Sequence, residues 1–164
     1  ALNAEFVADL ATFPVLPVKI SGFLAEMKTV LSELKEELNG VEFDISPVIG
    51  KLDQLVAPVA KLEEKIAVSG PGESDAVIQA VAGELARLFY TTVDPYHYEP
   101  ATSIAFSGKA HTTFGGLRTA AGITRDNTSP MTYLCIKTTF IRQRNRLVGQ
   151  MNEVLEKIEH YLHS

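Results

Sequence analysis

Residues 20–66 read ISGFLAEMKTVLSELKEELNGVEFDISPVIGKLDQLVAPVAKLEEKI. Two interleaved apolar series run through this stretch, each repeating every seven positions. One comprises Ile20, Met27, Leu34, Val41, Val48, Leu55 and Leu62; the other comprises Leu24, Leu31, Leu38, Ile45, Leu52, Val59 and Ile66. Their alternating spacings of four and three are the pattern of one helix packing on another. No member of either series is polar, so the stretch specifies helical packing and, by its length, suggests self-association.

The phase persists across two interruptions. Asn39-Gly40 is a helix stop, because glycine tolerates the left-handed backbone that closes a helix. Ser46-Pro47 is a helix start, a cap followed by a proline whose missing N–H costs nothing in the first turn. Ile20, Leu24, Met27, Leu31, Leu34 and Leu38 recur 28 residues on as Val48, Leu52, Leu55, Val59, Leu62 and Ile66. Two equal helices joined by a Gly-containing link fold back most simply as an antiparallel hairpin. The rival reading is one long coiled-coil helix. It is opposed by Gly40, Pro47 and Pro58, an interior proline alone costing ~3 kcal/mol. Pro58 is expected to kink the second helix.

Working outward, Asn3 caps a short helix bearing Phe6, Val7, Leu10 and Phe13, which Pro14 and Pro17 end. Beyond the loop Ser69-Gly70-Pro71-Gly72, a third helix carries Val77, Val81, Leu85, Leu88 and Phe89. Residues 96–128 are rich in Gly, Thr and Ser and read as a long loop or a small β insertion, with Ser103–Phe106 and His111–Phe114 as candidate strands. Thr128-Ser129-Pro130 opens the last helix. Its doublets Tyr133-Leu134, Phe140-Ile141, Leu147-Val148, Val154-Leu155 and Tyr161-Leu162 recur every seven residues. Met151 and Ile158 fill the seam between the later doublets, whereas Lys137 and Arg144 hold the equivalent earlier places. The expected fold is a single, mainly α domain. It is an antiparallel four-helix bundle with helices at about 18–38, 47–68, 74–93 and 131–162.

Composition narrows the class. With 164 residues, 46% hydrophobic and 21% charged, the chain has room for a substantial core. No apolar run approaches the ~20 residues that span a bilayer. Ala1 to Phe13 carries Glu5 and Asp9 and lacks the basic start of a secretory signal. Cys135 is the single cysteine, which excludes an internal disulfide, and its neighbours Leu134 and Ile136 predict a buried structural thiol. A cytoplasmic or virion location is expected.

The net charge of −5 hides a division. The six Lys and eleven acids before Gly70 sum to −5. Between residues 109 and 146, Lys109, Arg118, Arg125, Lys137, Arg142, Arg144 and Arg146 face only Asp126, a balance of +6. These seven are the candidate nucleic-acid-binding residues. The planar arginine fork makes paired hydrogen bonds to phosphate, and such contacts are strongly salt-dependent. Phe114, Tyr133 and Phe140 are interleaved aromatics. The competing reading pairs the same cations with the acidic faces of the hairpin, in the same subunit or a neighbour.

Other chemistry is thin. His97, with Tyr96, Tyr98 and Glu99, and His111 offer acid–base groups without a third group at a telling spacing. Glu156, Glu159, His160 and His163 gather at one helix end, where no metal site is expected. Ser107-Gly108-Lys109-Ala110 fails the phosphate-loop pattern. The expectation is therefore no catalytic residue, no metal and no cofactor. The leading reading is a self-assembling structural protein whose partners are further copies of itself and single-stranded nucleic acid, in a coat or packaging role. The alternative is an adaptor whose heptad seam binds a partner helix, and the third reading is an enzyme using His97 and His111. A helical bundle with Arg in a long loop and the adjoining helix resembles, in architecture alone, the coat proteins of helical viruses.

Overall fold

The computed structural model describes residues 18–38, 41–69, 72–90 and 113–164, with Val41 and Glu73 described by their backbone alone. These residues are mainly helical and contain no strand. The elements are α1 (Ile20–Glu37), a 3-10 turn (Val41–Phe43), α2 (Ser46–Val68), α3 (Glu73–Tyr90), the short α4 (Gly115–Arg118) and α5 (Pro130–His163). Because α1 ends at Glu37 and α2 begins at Ser46, one continuous helix is excluded. The expected helix at residues 3–13 and the candidate strand Ser103–Phe106 lie outside the described residues. The second candidate strand is described only from Thr113, where the chain turns into α4.

Burial explains why the heptad phase outlives the break. Every described side chain of the two series is buried except Ile66, which is half-buried. Leu38 and Ile45 flank the 3-10 turn and stay in the core, and Phe43 joins them. The link thus occupies one repeat of the pattern while bending the chain. Each fully buried seam side chain contributes about 1.5–3 kcal/mol before chain entropy is set against it.

Caps decide where the helices start. The Asp44 carboxylate accepts the Ser46 N–H at 2.9 Å, so the acid two residues upstream serves the start of α2. That corrects the expectation of Ser46 as the cap: Ser46 is already helical and Ile45 holds the cap position. Helix α2 continues through Pro58. Ser129 caps α5, its Oγ accepting the Thr132 N–H at 3.3 Å, and Pro130 occupies the first turn.

Helix α5 is the common support, packing against α2, α3, α4 and the 3-10 turn. Helix α1 packs on α2 and α3. Two edge-to-face aromatic groups lock the ends: Phe43 sits 5.2 Å from Phe140 and 5.9 Å from Tyr133, and Phe89 sits 5.4 Å from Phe23 and 5.2 Å from Phe114. Phe114 holds a left-handed backbone, φ 51°, and its N–H donates to the Phe89 carbonyl at 2.8 Å, closing α3. Lys65 reaches the other end of α5. Its ammonium donates to the Tyr161 carbonyl at 2.7 Å, where a cation meets the negative end of the helix dipole.

Candidate functional site

The approach to α5 is a turn built by Asn127. Its Nδ2 donates to the Gly122 carbonyl at 2.8 Å, its Oδ1 accepts the Thr124 N–H at 2.9 Å, and its own N–H donates to Thr124 Oγ1 at 3.2 Å. Gly122 has φ 70°, a value that favours glycine. This turn presents Arg125 over the first turns of α5, its guanidinium 5.5 Å from the centre of the Tyr133 ring.

Glu42, on the 3-10 turn, is the hub of the cluster. Arg125 Nη2 lies 2.7 Å from its Oε1 and Lys137 Nζ lies 2.8 Å from its Oε2. The Tyr133 hydroxyl donates to the same Oε2. The hydrogen bonds from Lys137 and Tyr133, then the charges of Arg125 and Lys137, pull the Glu42 carboxyl down from 4.5 to about 2. Arg125 is raised in turn, first by Tyr133 and then by Glu42.

The remaining cations of the basic block divide. Arg118 Nη1 reaches both oxygens of Glu37, at 3.0 and 2.8 Å, while its Nε donates to the Thr113 carbonyl at 3.0 Å. Arg144 Nη1 donates to the Asp44 carbonyl at 3.3 Å. Arg146 is half-buried and also has partners. Arg142 is exposed and forms no ion pair among the described residues. Lys109 lies outside the described residues, as do His97 and His111.

Of the predicted set, then, the fold brings Arg125 and Lys137 together on one carboxylate, directs Arg118 to the end of α1 and directs Arg144 to the α1–α2 link. The seam positions of Lys137 and Arg144 now have a physical reason. The first half of that seam faces the 3-10 turn and its acids, where an apolar side chain would leave Glu42 short of partners.

Around this cluster lies an open cleft of about 350 Å³ lined by Arg125, Pro130, Tyr133, Leu134 and Lys137. Leu134 in its wall is 58% exposed, and Met131, next to Pro130 in the chain, is 73% exposed. A shallower cleft of about 280 Å³ follows along α5, lined by Leu134, Cys135, Thr138, Thr139 and Arg142. The Cys135 thiol is exposed, which corrects the expectation of a buried one. The α5 seam that faces the core runs through Tyr133 and Phe140, and Leu134 and Cys135 fall on the far side of it.

Glu42 and its tie to Tyr133 were not singled out in the sequence, where the competing reading paired the cations with the acidic faces of the hairpin in general. The signal was the pair of cations at seam positions of an otherwise apolar helix. Among the described residues no group of three or more His, Cys, Asp or Glu is placed to hold a metal ion. No helix among them is long and apolar enough to cross a membrane. The chain matches no protein-family model, no curated protein and no solved structure.

Proposed function

We propose that the chain is a non-enzymatic structural protein, a folded-back four-helix bundle that acts by assembling with copies of itself. In this reading it meets a polyanion, nucleic acid in a coat or packaging role, and works in the cytoplasm or a virion. The bundle arrangement is supported by cross-helix contacts. The Ser21 N–H donates to Glu63 at 2.9 Å and Lys28 meets Asp53 at 2.6 Å, both between α1 and α2. Lys157 meets Glu84 at 2.9 Å between α5 and α3.

One observation carries the polyanion contact. Arg125 and Lys137 share a single carboxylate, so one positive charge is left over, beside exposed apolar side chains, with the Arg125 side chain 68% exposed. With Arg118 held by Glu37 and Arg144 by the Asp44 carbonyl, this reading centres the contact on the mouth of the cleft. Arg142, exposed in the adjoining cleft, is open to a partner of either kind.

The second reading, an adaptor whose basic patch is satisfied internally, is favoured by the same ion pairs. Its proposed use of the heptad seam would require the buried α1–α2 face to open. Size-exclusion chromatography with light scattering, and titration of a single-stranded oligonucleotide over a salt series, separates the two. The structural reading expects an assembly and oligonucleotide affinity that falls with salt with a log–log slope of about 0.7 per phosphate contacted. Arg125→Glu should reduce that slope. Assembly without salt-sensitive binding removes the polyanion contact, and a monomer at every concentration removes self-assembly and supports the adaptor.

A further inference from the structure

We infer that the outer face of α5 is a self-docking surface, on which a second copy of the chain lays its own α5 antiparallel across a two-fold axis at Gly149. The inference rests on the self-assembly proposed above and names its partner and geometry.

Three features of α5 converge. First, Thr138, Arg142, Asn145, Gly149, Glu153 and Glu156 are all exposed and follow one another at spacings of three or four. At about 100° per residue they form a single stripe down the helix. Second, the stripe is polarised. Arg142 is the cation on its N-terminal side, and Glu153 and Glu156 are acids on its C-terminal side. None of the three forms an ion pair among the described residues. Third, Gly149 lies deep inside a 34-residue helix, where glycine is destabilising relative to alanine. Nothing within the subunit asks for it, since a Cβ built there meets no atom within 4 Å; Gly50 and Gly83 share that property, and the polarised stripe is what sets Gly149 apart. A glycine without an internal reason on an outer face suits close approach by another backbone.

A two-fold axis at Gly149 uses all three. Arg142, seven residues before it, comes opposite Glu156 of the second copy, seven residues after it. Asn145 comes opposite Glu153. In an isologous interface each such pair occurs twice. A parallel arrangement would instead set Arg142 against Arg142 and Glu156 against Glu156, and like charges in register oppose it. With Arg142 committed to the partner, Arg125 and Lys137 are left for the polyanion.

The test is the mass of the full chain by light scattering across a concentration series, with helicity monitored by circular dichroism. Arg142→Glu and Glu156→Arg should each weaken association at least tenfold, and the two together should restore it. Gly149→Leu should give a helical monomer. In a Cys135→Ser background, Gly149→Cys should oxidise to a cross-linked dimer. The native Cys135 should not, because 28 residues of helix would separate the two thiols by roughly 40 Å. An assembly whose mass ignores Gly149→Leu, or a charge swap that fails to restore association, overturns this interface while leaving self-assembly by another surface standing. A wild-type monomer at all concentrations overturns both.

Discussion

Lys137 and Glu42 stand 95 residues apart in the chain and 2.8 Å apart in the fold. Their contact ties the link between α1 and α2 to the second turn of α5. Tyr133, one turn earlier on α5, donates to the same carboxylate oxygen, and Arg125 takes the other. The link therefore cannot move without breaking a three-donor set.

This cluster makes stability depend on acid. The folded carboxyl of Glu42 titrates near 2 against an ordinary value of 4.5, so its contribution is fully present above 4.5 and is lost as pH falls toward 2. Glu42→Gln should melt below the wild type at neutral pH, and the gap should close over that window. Circular-dichroism melts at stepped pH check it, and a gap that does not change with pH contradicts it.

Arg118 joins α4 to the end of α1 with a side chain only 17% exposed. Arg118→Ala should cost about 1–2 kcal/mol in urea unfolding, the range for charge-assisted hydrogen bonds at a partly screened site. A double-mutant cycle with Glu37→Ala should return a coupling of about 0.5–1 kcal/mol. The rest of the loss should persist without Glu37, because Nε also holds the Thr113 carbonyl.

Phe114 combines a buried ring with a left-handed backbone. Phe114→Ala should destabilise by about 3–5 kcal/mol, the range for emptying an aromatic site. Phe114→Gly should be about 1 kcal/mol less damaging than Phe114→Ala, because glycine relieves the backbone cost that alanine keeps. Chemical denaturation of the two variants side by side gives the order.

Ser129 satisfies a free N–H at the start of the longest of the described helices. Ser129→Ala should cost about 1 kcal/mol, while Ser129→Asp should hold stability by capping and by meeting the positive helix end. Amide exchange at Thr132 should quicken in the alanine variant and not in the aspartate one.

Much of this fold was legible in the residues because burying one face of a helix imposes a period. Leu24, Leu31 and Leu52 had to recur at that period, and all three are buried. Chain breaks were equally readable, since Pro47 and Pro130 act through local backbone geometry. Lys137 and Arg144 were visible as anomalies in the α5 seam, but their partners were not. An ion pair leaves no periodic trace, and Glu42 looks like any other acid of the hairpin.

The same limit explains Cys135. Its apolar neighbours suggested burial, yet whether a helical position is covered depends on where the neighbouring helices sit. The sequence by itself determined that the described residues are mainly helical, where the main helices break, and which faces of α1 and α2 turn inward, because those are consequences of local backbone preference and of hiding apolar surface from water. The tertiary structure alone decided that Glu42 gathers Arg125, Tyr133 and Lys137, that Arg118 turns to Glu37, and that Gly149 and Arg142 face outward. Those outcomes depend on distances between segments brought together only by packing.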